Sequence, residues 1–189
     1  MASAGASGAQ ITSDRYYELV ERGLIEPDDR VELLEGVIVS MAPQDPIHAY
    51  TISTLQEALG RAFGERAVVR TQLPLLLSPT SMPEPDVAVV AGRPVDYLSR
   101  HPTTALLVVE VAASSLAQDR LTKAPIYAAA GVPEYWIVNL REGCVEVRRA
   151  PVAAERRYAE TSRAERGERL TLVAFPDVTV PVDAILPPP

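Results

Sequence analysis

The chain has 189 residues, a formal net charge of −7 at pH 7, 47% hydrophobic residues and 23% charged residues. That is ordinary for a soluble globular protein with a buried core, and the lone Cys144 has no partner for a disulfide or a zinc knuckle. The acidic balance argues against gripping nucleic acid by bulk electrostatics alone; no apolar stretch approaches a membrane span and no secretory leader is visible, so a cytoplasmic location is expected.

Residues 1–12, rich in Ala, Ser and Gly, are expected to form a disordered tail, and residues 13–186 a single domain. Thr12 or Ser13 caps a short helix through Tyr16 and Val20 that stops at Gly23. Pro27-Asp28-Asp29 reads as a turn. Val31 to Met41 reads as a hairpin bending at Glu35-Gly36. The spacing of Ile52, Leu55, Leu59 and Phe63 predicts an amphipathic helix from about His48, ended by Gly64. Ala67 to Leu77 is extended, and Pro74 puts it near a sheet edge.

A proline-rich loop then leads into an apolar strand headed by Asp86. Residues 92–104 form an excursion with a helical turn. The next run, Ala105 to Ala112, is apolar except for Glu110 and reads as a strand buried on both faces. The two apolar strands are expected side by side in mid-sheet. Ser114-Ser115 can cap a helix through Lys123 and Tyr127 to Gly131, with Pro125 as a kink or a true first turn. Glu134 to Leu140 is a strand. Cys144–Arg149, Arg156–Glu160 and Arg169–Phe175 suggest an antiparallel meander, and Pro187-Pro188-Pro189 an unstructured tail. The order describes an α/β (α+β) fold: a mixed central sheet flanked by helices, with an N-terminal hairpin and the C-terminal meander.

Glu110 carries the chemical signal. An ionised carboxylate in an apolar strand is costly unless a cation or donors compensate it. Asp86 at the head of the neighbouring strand and Lys123 on the following helix are the expected companions. Two carboxylates and a lysine at strand ends suit a hard divalent ion and a phosphodiester. Asp86 and Glu110 are the expected ligands, with the backbone carbonyl of Val111 as a third. Lys123 orients or deprotonates the attacking water, or contacts the phosphate. Asp119, Lys123 and Tyr127 share one helix face at four-residue spacing, so Asp119 is expected to hold the lysine and Tyr127 to pack over it. Glu32 and Glu35 lie near the hairpin, as an extra ligand or as exposed turn residues. His48 touches the site from its helix start, or serves as a cap or surface residue.

These residues resemble the Uma-two family, a group of restriction endonucleases in the PD-(D/E)XK nuclease superfamily. The resemblance rests on Pro85-Asp86, on Val109-Glu110-Val111 with Ser114-Ser115 behind it, and on Asp119-Arg120 followed by Lys123. Its most specific piece is Gly131-Val132-Pro133-Glu134-Tyr135-Trp136. Val31 to Gly36, Met41-Ala42-Pro43 with His48, and the closing Gly167-Glu168 and Phe175-Pro176 also fit, so it spans roughly residues 13 to 185. It implies a restriction-endonuclease-like fold, magnesium (or manganese) as cofactor and DNA as substrate class. One departure is that Ala112, two after Glu110, stands where the superfamily has lysine; the resemblance suggests that the lysine has moved to Lys123.

Two other readings remain open from the residues: a catalytically inactive nuclease-fold module that binds nucleic acid or is structural, and a metal-dependent hydrolase of another phosphate ester. Arginines cluster at Arg148-Arg149, Arg156-Arg157, Arg163, Arg166 and Arg169, a pattern that usually marks solvated surface. With no separate DNA-reading domain and two strands to cut, a symmetric homodimer is the expected assembly.

Overall fold

The structure is a computed structural model that describes residues 10–26 and 28–188. Most of the expected disordered tail, residues 1–9, lies outside the described residues, as do Pro27 of the expected turn and Pro189 of the closing tail. Helix α1 (Ser13–Glu21) opens on Thr12, whose hydroxyl accepts from the Arg15 N–H at 3.3 Å. Strands β1 (Val31–Leu34) and β2 (Val37–Ser40) make the expected hairpin. Its bend turns left-handed at Glu35 (φ 51°) and Gly36 (φ 80°). Glycine is required at 36 on a second count, since a Cβ there would lie 2.6 Å from Gln10 Cβ.

Helix α2 (Pro46–Phe63) starts two residues before the expected His48. Asp45 caps it by accepting from the His48 N–H at 2.8 Å, and Pro46 sits in the first turn, where a missing N–H is harmless. A six-stranded sheet follows in the order β3 (Val68–Thr71), β4 (Val87–Val90), β5 (Leu107–Ala112), β6 (Glu134–Asn139), β7 (Cys144–Val152), β8 (Arg157–Ala164). The edge position of β3 and the adjacency of β4 and β5 are as read from the sequence. All pairings are antiparallel except β5 with β6. That parallel pair needs a crossover, and the helical segment after β5 supplies it.

The period-2 alternation of buried strands sorts the core into two layers. Val87, Val89, Val109, Val111, Trp136 and Val138 face α2. Ala88, Val90, Val108, Ala112, Tyr135 and Ile137 face the crossover helix. Glu110 shares the parity of Val108 and Ala112, so it points to the crossover side.

The crossover is not the uniform helix expected from Ser114-Ser115 to Gly131. It runs as α3 (Leu116–Gln118), a π-helical turn (Asp119–Lys123) and α4 (Ala124–Ala129). Pro125 has no N–H to give back to the preceding turn, and its ring would crowd the Leu121 carbonyl. Widening that turn relieves both problems without breaking the helix. Ser115 does not cap through its side chain.

The meander expectation holds for β7 and β8 only. β9 (Arg169–Thr171) leaves the sheet and pairs with β10 (Thr179–Pro181). Leu170, Leu172, Val178 and Val180 need burial, and they gain it by covering the α2 face of the sheet. Glu134, fully buried, anchors this cover. Its Oε1 accepts from Trp136 Nε1 at 2.9 Å and Arg149 Nη2 at 2.7 Å, and its Oε2 from the Val173 N–H at 2.8 Å. Glu134→Ala would strand three donors. We expect a loss of about 3 kcal/mol or more in urea unfolding followed by Trp136 fluorescence; a loss under about 1 kcal/mol would show the network to be dispensable.

Candidate active site

The strand register brings the two acids together. β4 and β5 pair Val87 with Val109 and Ala88 with Val108. One step further, that register sets Asp86 opposite Glu110, at the end of the sheet. Side chains directly opposite share a face and lie within about 5.5 Å at Cβ. Asp86 Oδ2 accepts from the Val111 N–H at 2.8 Å, and the Asp86 N–H reaches Glu110 Oε2 at 3.4 Å. The Val111 side chain lies in the core, so this residue meets the site through its backbone alone.

Other elements converge on this pair. From the crossover, Lys123 Nζ lies 3.0 Å from Glu110 Oε1, and the Tyr127 hydroxyl donates to the same oxygen at 2.7 Å. From the hairpin, Glu32 Oε1 lies 3.2 Å from Lys123 Nζ, while its Oε2 accepts from the Glu84 N–H at 3.1 Å. From the start of α2, His48 Nε2 lies 3.1 Å from Asp86 Oδ1. A cleft of about 80 Å³ opens over these groups, lined among others by Arg30, Gln44, Ser115, Gln118 and Asp119. It has room for an ion and a few waters.

Two expected details are corrected, and of the two readings open for Glu35 the structure shows the exposed turn residue. Asp119 does not hold the lysine: its Oδ2 accepts from the Ser115 hydroxyl at 2.7 Å, and Lys123 turns instead to Glu110 and Glu32. Tyr127 does not pack over the lysine but shares its acceptor. Glu35 is not in the site. It sits exposed in the left-handed bend and pairs with Arg156, so its side chain points away from the cleft that Glu32 enters. Glu32 lies on β1, whereas the left-handed backbone of the bend at Glu35 turns that side chain elsewhere. The clustered arginines are also accounted for: Arg148, Arg149, Arg156, Arg157, Arg163 and Arg166 each pair with a carboxylate, and Arg169 bonds Thr179.

The charge balance defines the site. Glu32, Asp86, Glu110 and Asp119 are each no more than 6% exposed, and the one base buried among them is Lys123, also 6% exposed. Lys123 is the sole lysine of the sequence, whose other strong bases are all arginines. A compact ammonium fits between two glutamates where a planar guanidinium would not. Burial disfavours its charge, but Glu110, Glu32 and Asp119 outweigh that and hold it protonated. Burial pushes Glu110 up to about 8, against the pull of Lys123 and with the help of Asp86, Asp119 and Glu32. Burial likewise lifts Asp119 to about 6, opposed by Lys123 and the Ser115 hydrogen bond. One ammonium cannot neutralise four buried acids. For His48, burial lowers the pKa, yet the Asp86 hydrogen bond and charge raise it overall.

Glu110 has an ordinary value of 4.5 and a folded value of about 8. Between these the native state keeps a proton that the unfolded chain has lost, so stability falls as pH rises through that window and levels off above it. We expect Tm in chelator to drop from about pH 5 to about pH 8, and Glu110→Gln to remove most of the drop. A Tm that rises over the same range in wild type would contradict the excess of buried acid.

This donor set fits a hard divalent cation. Glu110 Oε2 receives only the long 3.4 Å contact from the Asp86 N–H, and each Asp86 oxygen has a single partner, so the pair keeps lone-pair capacity for an ion. Among the described residues no three His, Cys, Asp or Glu side chains are arranged to enclose an ion. Magnesium needs no such cage, since it is bound through one or two carboxylates and keeps several waters.

A mixed sheet with an acid pair at its end and helices on both faces makes this an α+β protein of the restriction-endonuclease-like kind. Residues 14–183 match the Uma2 family, described as "Putative restriction endonuclease", and the chain belongs to that family. Among solved structures it is similar to "a putative nuclease belonging to DUF820" from Anabaena variabilis, with a TM-score of 0.72 and 17% identity over 93% of this chain and 97% of that one. No curated protein matches the chain. Among the described residues no helix is long and apolar enough to cross a membrane.

Proposed function

We propose that the chain is a metal-dependent DNA endonuclease with Asp86, Glu110 and Lys123 as its catalytic residues. The observation that carries this reading is the uncompensated cluster of four buried acids around one lysine, in a chain of a nuclease family. Magnesium, with manganese as a substitute, would be held by Asp86, Glu110 and the Val111 carbonyl. When bound it supplies charge neutralisation at the scissile phosphate and an activated water. Asp86 is oriented for this by the Val111 N–H and by His48, and Glu110 by Lys123 and Tyr127. Lys123 keeps its proton, so it stabilises negative charge on a phosphate oxygen and orients the attacking water rather than deprotonating it. Glu32 holds that ammonium in the cleft by direct contact at 3.2 Å, and the Asp119 charge favours it without touching it.

Cutting both strands of a duplex calls for two such sites, and a symmetric homodimer would provide them. A second reading, a nuclease-fold module without catalysis, is favoured by one observation. Glu110 Oε1 already receives both Lys123 and Tyr127, and Lys123 also bridges to Glu32, which closes that side of the cleft. The deciding experiment combines calorimetric titration of magnesium and manganese with cleavage of varied duplex and single-stranded DNA. Ion binding with cleavage supports the enzyme; ion-free protein that cuts nothing leaves the inactive module.

A further inference from the structure

The geometry points to a phosphate-binding subsite outside the acid cleft, built from Arg100 and His101 with Arg70 behind them, and its ligand is the backbone of a nucleic-acid strand engaged at the cleft. The ligand's identity rests on the nuclease reading; the anion site itself does not.

Arg70 lies on the edge strand β3, opposite Ala88, and therefore on the same sheet face as Asp86 and Glu110. Ala88 is two residues along β4 from Asp86, which is about 7 Å at strand rise. The Arg70 guanidinium has no carboxylate within 4.0 Å among the described residues, unlike the clustered arginines of the C-terminal half. Its Nε is buried without any hydrogen-bond partner. Its Nη2 makes only long contacts, 3.5 Å to the Pro74 carbonyl and 3.5 Å to His101 Nδ1. The Tyr97 ring lies 5.6 Å from Arg70 Cζ and gives it a π face in place of an anion. An ion removed from water without a counter-ion is unfavourable, and burial accordingly lowers the Arg70 pKa.

What lies beyond supplies the vacancy for that counter-ion. Tyr97, Arg100, His101, Thr103 and Thr104 line an open cavity of about 430 Å³. With Nδ1 accepting from Arg70, the His101 imidazole carries its proton on Nε2, on the side of the ring away from Arg70. Burial first, and the Arg70 charge second, keep the ring neutral in that tautomer. Arg100 is exposed and has no acid within 4.0 Å among the described residues. Asp96 is the one acid on the wall, and it is engaged by the Arg93 N–H at 2.8 Å and the Arg93 guanidinium at 3.8 Å. An imidazole N–H, a free guanidinium and threonine hydroxyls, backed by a half-buried guanidinium with no carboxylate partner among the described residues, form a donor set for phosphate oxygens.

The chain has two histidines, one in each site, so imidazole NMR of the full chain separates them. Inorganic phosphate at millimolar concentration should shift the His101 resonances and leave His48 in place. Arg70→Gln and Arg100→Gln should each abolish that shift, with an unchanged His48 spectrum as the check on folding. Duplex DNA should shift His101 as well. Both variants should weaken DNA binding by about five- to tenfold and reduce the salt slope by about one. Arg61→Gln, on the opposite face at the far end of α2, is the charge-matched control and should change neither. If phosphate moves His101 and DNA binds nowhere, the anion site stands and the nuclease reading fails. If neither probe moves His101, or both variants respond as wild type does, the subsite is overturned.

Discussion

Asp86→Asn should reduce DNA cleavage by about a thousandfold or more while leaving the fold intact. The amide is nearly isosteric with the carboxylate. Its oxygen can still accept from the Val111 N–H, and its NH2 can donate to His48, so the contacts at 2.8 and 3.1 Å survive. What disappears is the negative charge that pairs with Glu110 across the strand register. Affinity for magnesium and manganese should fall together with rate, and Tm in chelator should hold or rise, because one of four buried acids has been neutralised. Calorimetry, cleavage and thermal melts on the same preparation separate these effects. An Asp86→Asn protein that binds the ion and cuts DNA as wild type does would remove Asp86 from the site.

Lys123→Met should be the most destabilising substitution at the cleft, by about 3–5 kcal/mol at neutral pH. The methionine fills a similar volume, so packing is largely kept. The loss is electrostatic: Glu110 and Glu32 would face each other across the vacated ammonium, with Asp119 nearby. Two signs distinguish this from a packing defect. The deficit should shrink at low pH, where the acids are protonated. It should also shrink with added magnesium, since an ion that binds only the native state stabilises it by mass action. Turnover should fall further than ion affinity. Urea unfolding with and without the ion tests this directly. A variant as stable as wild type at every pH would mean that the lysine compensates nothing.

Much of the architecture was legible because it is local. The unbroken apolar runs at Val87–Val90 and Leu107–Ala112, the helical spacing of Ile52, Leu55, Leu59 and Phe63, and the bend at Glu35-Gly36 are all short-range signals. The misread pieces have a common cause. Arg169–Thr171 has strand character, but its sheet is chosen by which face of the core needs covering. The π turn at Asp119–Lys123 depends on how a helix accommodates Pro125 while Lys123 is drawn to Glu110 and Glu32. Glu32 and Glu35 looked equivalent in the sequence; β1 carries one into the cleft, and the left-handed bend turns the other to Arg156.

By itself the sequence determined that an acid would be buried in mid-sheet, that a second acid would head the neighbouring strand and that the one lysine would follow on a helix. Residue type and period decide such things, because each strand or helix presents a fixed alternation of faces. Only the tertiary structure decided the partners: His48 on Asp86, Tyr127 and Lys123 on one oxygen of Glu110, Glu32 closing the ring, and Arg70 left without an anion. Charge pairing is a long-range choice among many acids and bases. Its outcome depends on distance and desolvation, which no local pattern encodes.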